Sequence, residues 1–120
     1  MSAKTSRVET DFLGSRQIPS DAYWGVHTAR AVENFPITDQ TVAQMPELIR
    51  ALAHVKKAAA AANAQLGIIN ASTAAAIDKA CNDLIAGKLH DQFVVDVIQG
   101  GAGTSTNMNA NEVLANVENS

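Results

Sequence analysis

The run from Gln99 to Asn116, QGGAGTSTNMNANEVLAN, holds the densest set of residues able to do chemistry in this chain. Gly100, Gly101 and Gly103 permit positive φ at three positions, and their lack of a Cβ lets another molecule approach the backbone closely. Thr104 and Ser105 follow at once. From there Ala110, Val113, Leu114 and Val117 recur at i, i+3, i+4 and i+7, which predicts a helix with Thr104 or Ser105 as its N-cap. A helix N-terminus offers unbonded N–H groups and a partial positive charge, so glycines in front of it make a place for a carboxylate or a phosphate.

Asn107, Asn109 and Asn111 stand in the first turns of that helix, although asparagine is a poor helix former. Such a cluster serves either as a buried hydrogen-bonding or capping network, or as an uncharged set of groups that orient an anion. A nucleotide-binding βα turn is the rival for the glycine loop, with Phe93 to Ile98, FVVDVI, as its strand. The lysine of a Walker-type loop is missing after the last glycine, and GAGTST lacks the final glycine of GxGxxG. An acidic residue about twenty positions on would fall past Ser120.

Other polar residues read as structure. His27, His54 and His90 share no ligand spacing, so no metal is expected. Asp91 and Asp96 flank a packing segment and are expected at the surface or in turns. Lys56 and Lys57 are read as a solvated face or as packed stems. Cys81, the sole cysteine, sits on an apolar helix face, which excludes a disulfide framework. Asn70-Ala71-Ser72 fits a glycosylation pattern by chance.

A net charge of -3 with dispersed lysines and arginines leaves no basic stripe for nucleic acid. With no apolar run long enough to span a bilayer, no membrane partner is expected and a soluble cytoplasmic protein is the default. One domain is the most that 120 residues support. Alanine supplies much of the 47% apolar content and aromatics only 4%, so the helices are suited to close packing against something further.

Several elements must position the loop. Short extended runs between Ser6 and Pro19 predict a hairpin, and Asp21 to Phe35 an ordered arm with a short helix, Thr28 to Asn34, closed by Pro36. Pro46, with Glu47 beside it, opens the clearest helix, which ends at Leu66 before Gly67. Leu48, Leu52, Val55, Ala59, Ala62 and Leu66 form its expected inward stripe. Asn70 or Ser72 caps a second helix that ends before Gly87, with Ala74, Ile77, Cys81, Leu84 and Ile85 inward. The short turn between the two predicts a helical hairpin. The segment 93–98 is either a brief strand or a buried irregular connector.

Read together, Arg7-Val8-Glu9, Asp21 to Val26 (DAYWGV), Glu33-Asn34-Phe35, Val55 to Ala59 (VKKAA), Asp91-Gln92-Phe93 and QGGAGTSTNMNANEVLAN resemble the fumarase and aspartase superfamily over nearly the whole chain. GGAGTST at Gly100 to Thr106, where a fumarase reads more like TGSGTQSNMN, favours the aspartate ammonia-lyase branch, as does DAYWGVHT at Asp21 to Thr28. The resemblance implies a mainly α fold with a small extended or hairpin segment near the N-terminus. It implies that residues 1–120 make most of the first domain of a three-domain subunit, without the central helical bundle and the C-terminal domain. It also implies a homotetramer whose active sites are shared among three subunits.

The implied reaction is reversible deamination of L-aspartate to fumarate and ammonia, with no organic cofactor. Carried over by position, Thr104 is the substrate-binding threonine, flanked by Gly103 and Ser105. Ala102 stands where the fumarase pattern has a serine and is expected to touch substrate through its backbone only. Asn107 supports the site from behind. No catalytic residue is expected within the chain, because the family's general-base serine lies on a loop outside these 120 residues; the piece alone is expected to be inactive. The tail Val117-Glu118-Asn119-Ser120 departs from the family's alanine-leucine-glutamate run. The alternatives are a class II fumarase and a non-catalytic fragment that assembles with a complete lyase.

Overall fold

The computed structural model describes residues 5–99 and 103–118. Two strands, β1 (Ser6–Asp11) and β2 (Gly14–Pro19), precede four helices: α1 (Val26–Asn34), α2 (Pro46–Gln65), α3 (Ala71–Ile85) and α4 (Thr104–Glu118). The fold is mainly α with a small antiparallel hairpin, as the sequence predicts.

The hairpin pairs Ser6 with Pro19 through to Asp11 with Gly14. Gly14, at φ +123°, takes the turn conformation that side-chain-bearing residues avoid. The Arg7 guanidinium fastens the hairpin to the arm behind it, donating to the carbonyls of Pro19, Ala22 and Trp24 and to Glu9. Asp11 pairs with Arg30 of α1 at 2.7 Å.

The predicted helix limits hold to within two residues. Pro46 opens α2, and Asn70, not Ser72, caps α3 by accepting from the Thr73 N–H at 2.7 Å. The inward stripe of α3 is the expected one, with Cys81 and Leu84 fully buried and Ala80 beside them. The expected inward stripe of α2 is corrected. Ile49, Ala53 and Ala60 are its buried residues, while Val55 is 67% and Leu66 74% exposed. Alanines surround this helix on nearly every side, so two stripes have apolar character and periodicity alone does not separate them. What is left uncovered is an apolar face on α2.

The core gathers Val42, Ile49, Ala53, Ala80, Cys81, Leu84, Phe93, Val95, Ala110, Val113 and Leu114. Phe93 and the leucine and isoleucine side chains each contribute roughly 1.5–3 kcal/mol on burial. The alanines among them let helix backbones approach closely. Of the two readings of 93–98, the buried irregular connector is correct. It makes only an isolated bridge, Thr41 with Asp96, and its backbone bonds to residues 40–43. Asp96 is buried, so of the two expectations it is turn hydrogen bonding that holds: its carboxylate accepts from the N–H groups of Ile37, Thr38 and Ile98 and from the Thr38 hydroxyl. Burial opposes its ionisation, but these four donors prevail and hold its pKa below the ordinary carboxylate value.

Candidate functional site

The connector 93–98 and the inner face of α4 are locked together by Asn109. This fully buried amide accepts from the Val94 N–H at 3.1 Å and donates to the Gln92 carbonyl at 3.0 Å. A buried amide with both ends bonded fixes the roll of the helix about its axis. Of the three asparagines, Asn109 alone forms the buried network; Asn107 and Asn111 are exposed on the opposite side.

The start of α4 has the expected geometry with different capping. Gly103 sits at φ +79°, a conformation open to glycine and strained for most other residues, and its carbonyl accepts from the Asn107 N–H at 3.1 Å. Gly103 therefore precedes the helix, and Thr104 and Ser105 stand inside its first turn rather than capping it. The side-chain cap is Gln99, a residue with no spacing signal to reveal it. Its Oε1 accepts from the Thr106 N–H at 2.9 Å, while its Nε2 donates to the Thr106 hydroxyl and to the Asp96 carbonyl. Among the described residues, nothing accepts from the N–H groups of Thr104 and Ser105. Thr104 is exposed and Ser105 half-buried. Gly100, Gly101 and Ala102 lie outside the described residues.

Thr104, Asn107 and Asn111 are spaced i, i+3 and i+7, so they form one polar stripe on the exposed side of α4. Lys56 of α2 reaches this stripe, its Nζ donating to Asn107 Oδ1 at 2.7 Å. A groove of 290 Å³ between α2, α3 and α4 continues from it, lined by Lys56, Ala60, Asn63, Ile77, Asn111 and Leu114. Gly103, Thr104 and Ser105 do not line that groove, so the predicted contacts sit at the open end of the helix.

A second device, which the sequence did not announce, joins α4 to α1. Glu112 of α4 crosses to the N-terminus of α1, where its carboxylate accepts from the N–H of His27 at 3.1 Å, the N–H of Thr28 at 2.8 Å and the Thr28 hydroxyl at 2.6 Å. Glu9 takes the Val26 N–H beside it. The two carboxylates close over Gly25, where a Cβ would lie 2.6 Å from an oxygen of each. This glycine is required for room, and its φ of −129° is one any residue adopts. Two anions at one helix N-terminus complement its partial positive charge and tie α4 to α1 and β1.

A family model described as lyase matches residues 14–120. The chain belongs to the lyase family. Aspartate ammonia-lyase from Pseudomonas aeruginosa is 57% identical over 94% of this lyase chain, and that from Escherichia coli (strain K12) is 56% identical over 92% of it. The solved structure described as fumarate lyase:delta crystallin from Brucella melitensis, in native form, superposes with a TM-score of 0.93 at 58% identity over 95% of the chain. A recombinant class II fumarase from Schistosoma mansoni superposes with a TM-score of 0.89 at 36% identity. The chain spans 24% and 23% of the two aspartate ammonia-lyases and 26% of the Brucella chain, about a quarter of each. Among the described residues no helix is long and apolar enough to cross a membrane.

Proposed function

We propose that this chain is the carboxylate-holding portion of a lyase that interconverts L-aspartate with fumarate and ammonia. The observation that carries this is the start of α4: a glycine at φ +79°, then two N–H groups without an acceptor among the described residues, with the Thr104 hydroxyl beside them. The barrier in such a reaction is the weak acidity of the carbon next to a carboxylate. Proton removal puts further negative charge onto that carboxylate, and fixed donors facing it lower the barrier by about 1.4 kcal/mol for each tenfold in rate. The N–H groups of Thr104 and Ser105, the Thr104 hydroxyl and the positive helix end supply such donors.

Gly103 gives the approaching carboxylate clearance, and Ala102 contributes backbone alone. Asn107 supports the contact from one turn further along. The base lies elsewhere, on polypeptide beyond this chain, together with a central helical bundle and a third domain. In the assembled enzyme, a cytoplasmic homotetramer, neighbouring subunits complete each site; the uncovered alanine-rich face of α2 is consistent with such packing. Identity of 56–57% to aspartate ammonia-lyases, against 36% to the class II fumarase, favours the amine over water as the group added to fumarate.

The full-length protein decides between them when given fumarate with and without ammonium. Aspartate that forms only with ammonium supports the proposal. Malate formed in either case establishes a fumarase, and no product in either case overturns the proposal.

A further inference from the structure

Lys56 and Lys57 are neighbours on α2 with different surroundings. Lys57 donates to Asn82 and lies 3.7 Å from Asp78, a common surface arrangement. Lys56 is half-buried, and among the described residues no carboxylate pairs with it. Among the described residues its ammonium has one hydrogen-bond partner, the neutral side chain of Asn107. Burial holds its pKa below the ordinary lysine value. A positive charge taken partly out of water and left without an anion is unfavourable, and a carboxylate bound nearby would offset that cost.

The hydrogen bond also decides the orientation of Asn107. An ammonium only donates, so the amide atom facing Lys56 is the oxygen, and Nδ2 is turned away with both its donors uncommitted among the described residues. Asn107 is one turn from Thr104 on the same side of α4, about 5–6 Å away between Cβ atoms. Resting on the proposed function, we infer that Lys56 is a positioning residue for the substrate carboxylate held at Thr104. It directs the Asn107 amide donors toward that carboxylate and sets a full positive charge beside the helix end.

Steady-state kinetics of the full-length protein test this, using Lys56→Met, which keeps the stem and removes the charge, and Lys56→Arg, which keeps the charge. Lys56→Gln replaces the Met variant if that variant does not fold. The expected result is a rise of about tenfold in KM for aspartate in the uncharged variant, the loss of one charge-assisted contact. The inhibition constant of succinate rises in parallel, kcat falls less than KM rises, and Lys56→Arg recovers most of the loss. The thermal midpoint of the uncharged variant stays equal or rises, because an unfavourable burial is relieved; a purely structural lysine would lower it. Unchanged KM and succinate inhibition in an active enzyme overturns the role of Lys56 alone. Wild-type protein without lyase activity overturns the functional proposal beneath it.

Discussion

Replacing Glu112 with alanine removes three hydrogen bonds at the start of α1 at once, two from N–H groups and one from the Thr28 hydroxyl. Thr28 is fully buried, so water does not simply take the lost acceptor's place. Loss of a helix N-cap costs about 0.5–2 kcal/mol and a buried unsatisfied donor about 1–3 kcal/mol; allowing for overlap, the expected destabilisation is about 2–4 kcal/mol. Urea unfolding followed by circular dichroism measures it, with an unchanged m-value showing that the transition itself is preserved. Glu112→Gln keeps one acceptor oxygen and should lose about half as much. In a Thr28→Val background the cost of Glu112→Ala should shrink by on the order of 1 kcal/mol, since the two residues are in direct contact. A loss under about 0.5 kcal/mol, or an equal loss in both backgrounds, would refute the view that this carboxylate fastens α4 to α1.

Gly25→Ala places a methyl 2.6 Å from both Glu9 and Glu112 oxygens, so one carboxylate must leave the helix end. It should cost about 1–3 kcal/mol in thermal unfolding although alanine tolerates the backbone angles. Asp96 has a folded-state pKa below its unfolded value, so its contribution is present above pH ~4 and is lost as pH falls through the lowered pKa. The stability gap between wild type and Asp96→Asn should therefore be widest near neutrality and close in acid; a gap constant from pH 7 to 3 would contradict this. Burial, helped by the charge of Asp78, pushes the Cys81 thiol up. Iodoacetamide should label it slowly at pH 8 until urea is added, as mass spectrometry would detect.

Helices with one apolar side were legible. The stripes of α3 and α4 follow from spacing, and Pro46, Asn70 and the glycines at 67 and 87 mark ends. The face of α2 was not legible, because a helix dressed in alanine has no single apolar stripe to read. At the site, the positive φ at Gly103 follows from composition and order alone. Gln99 as cap, Lys56 against Asn107 and Glu112 against Thr28 do not. Each is a polar pair joined across space, and sequence separation carries no trace of which polar side chains the packing brings together.

The central claim, that the start of α4 holds a substrate carboxylate, is tested most directly by a crystal structure of the full-length protein with bound aspartate or fumarate. A carboxylate oxygen within about 2.7–3.2 Å of the Thr104 N–H or hydroxyl is the predicted result. A substrate bound with both carboxylates away from Gly103, Thr104 and Ser105 would contradict it.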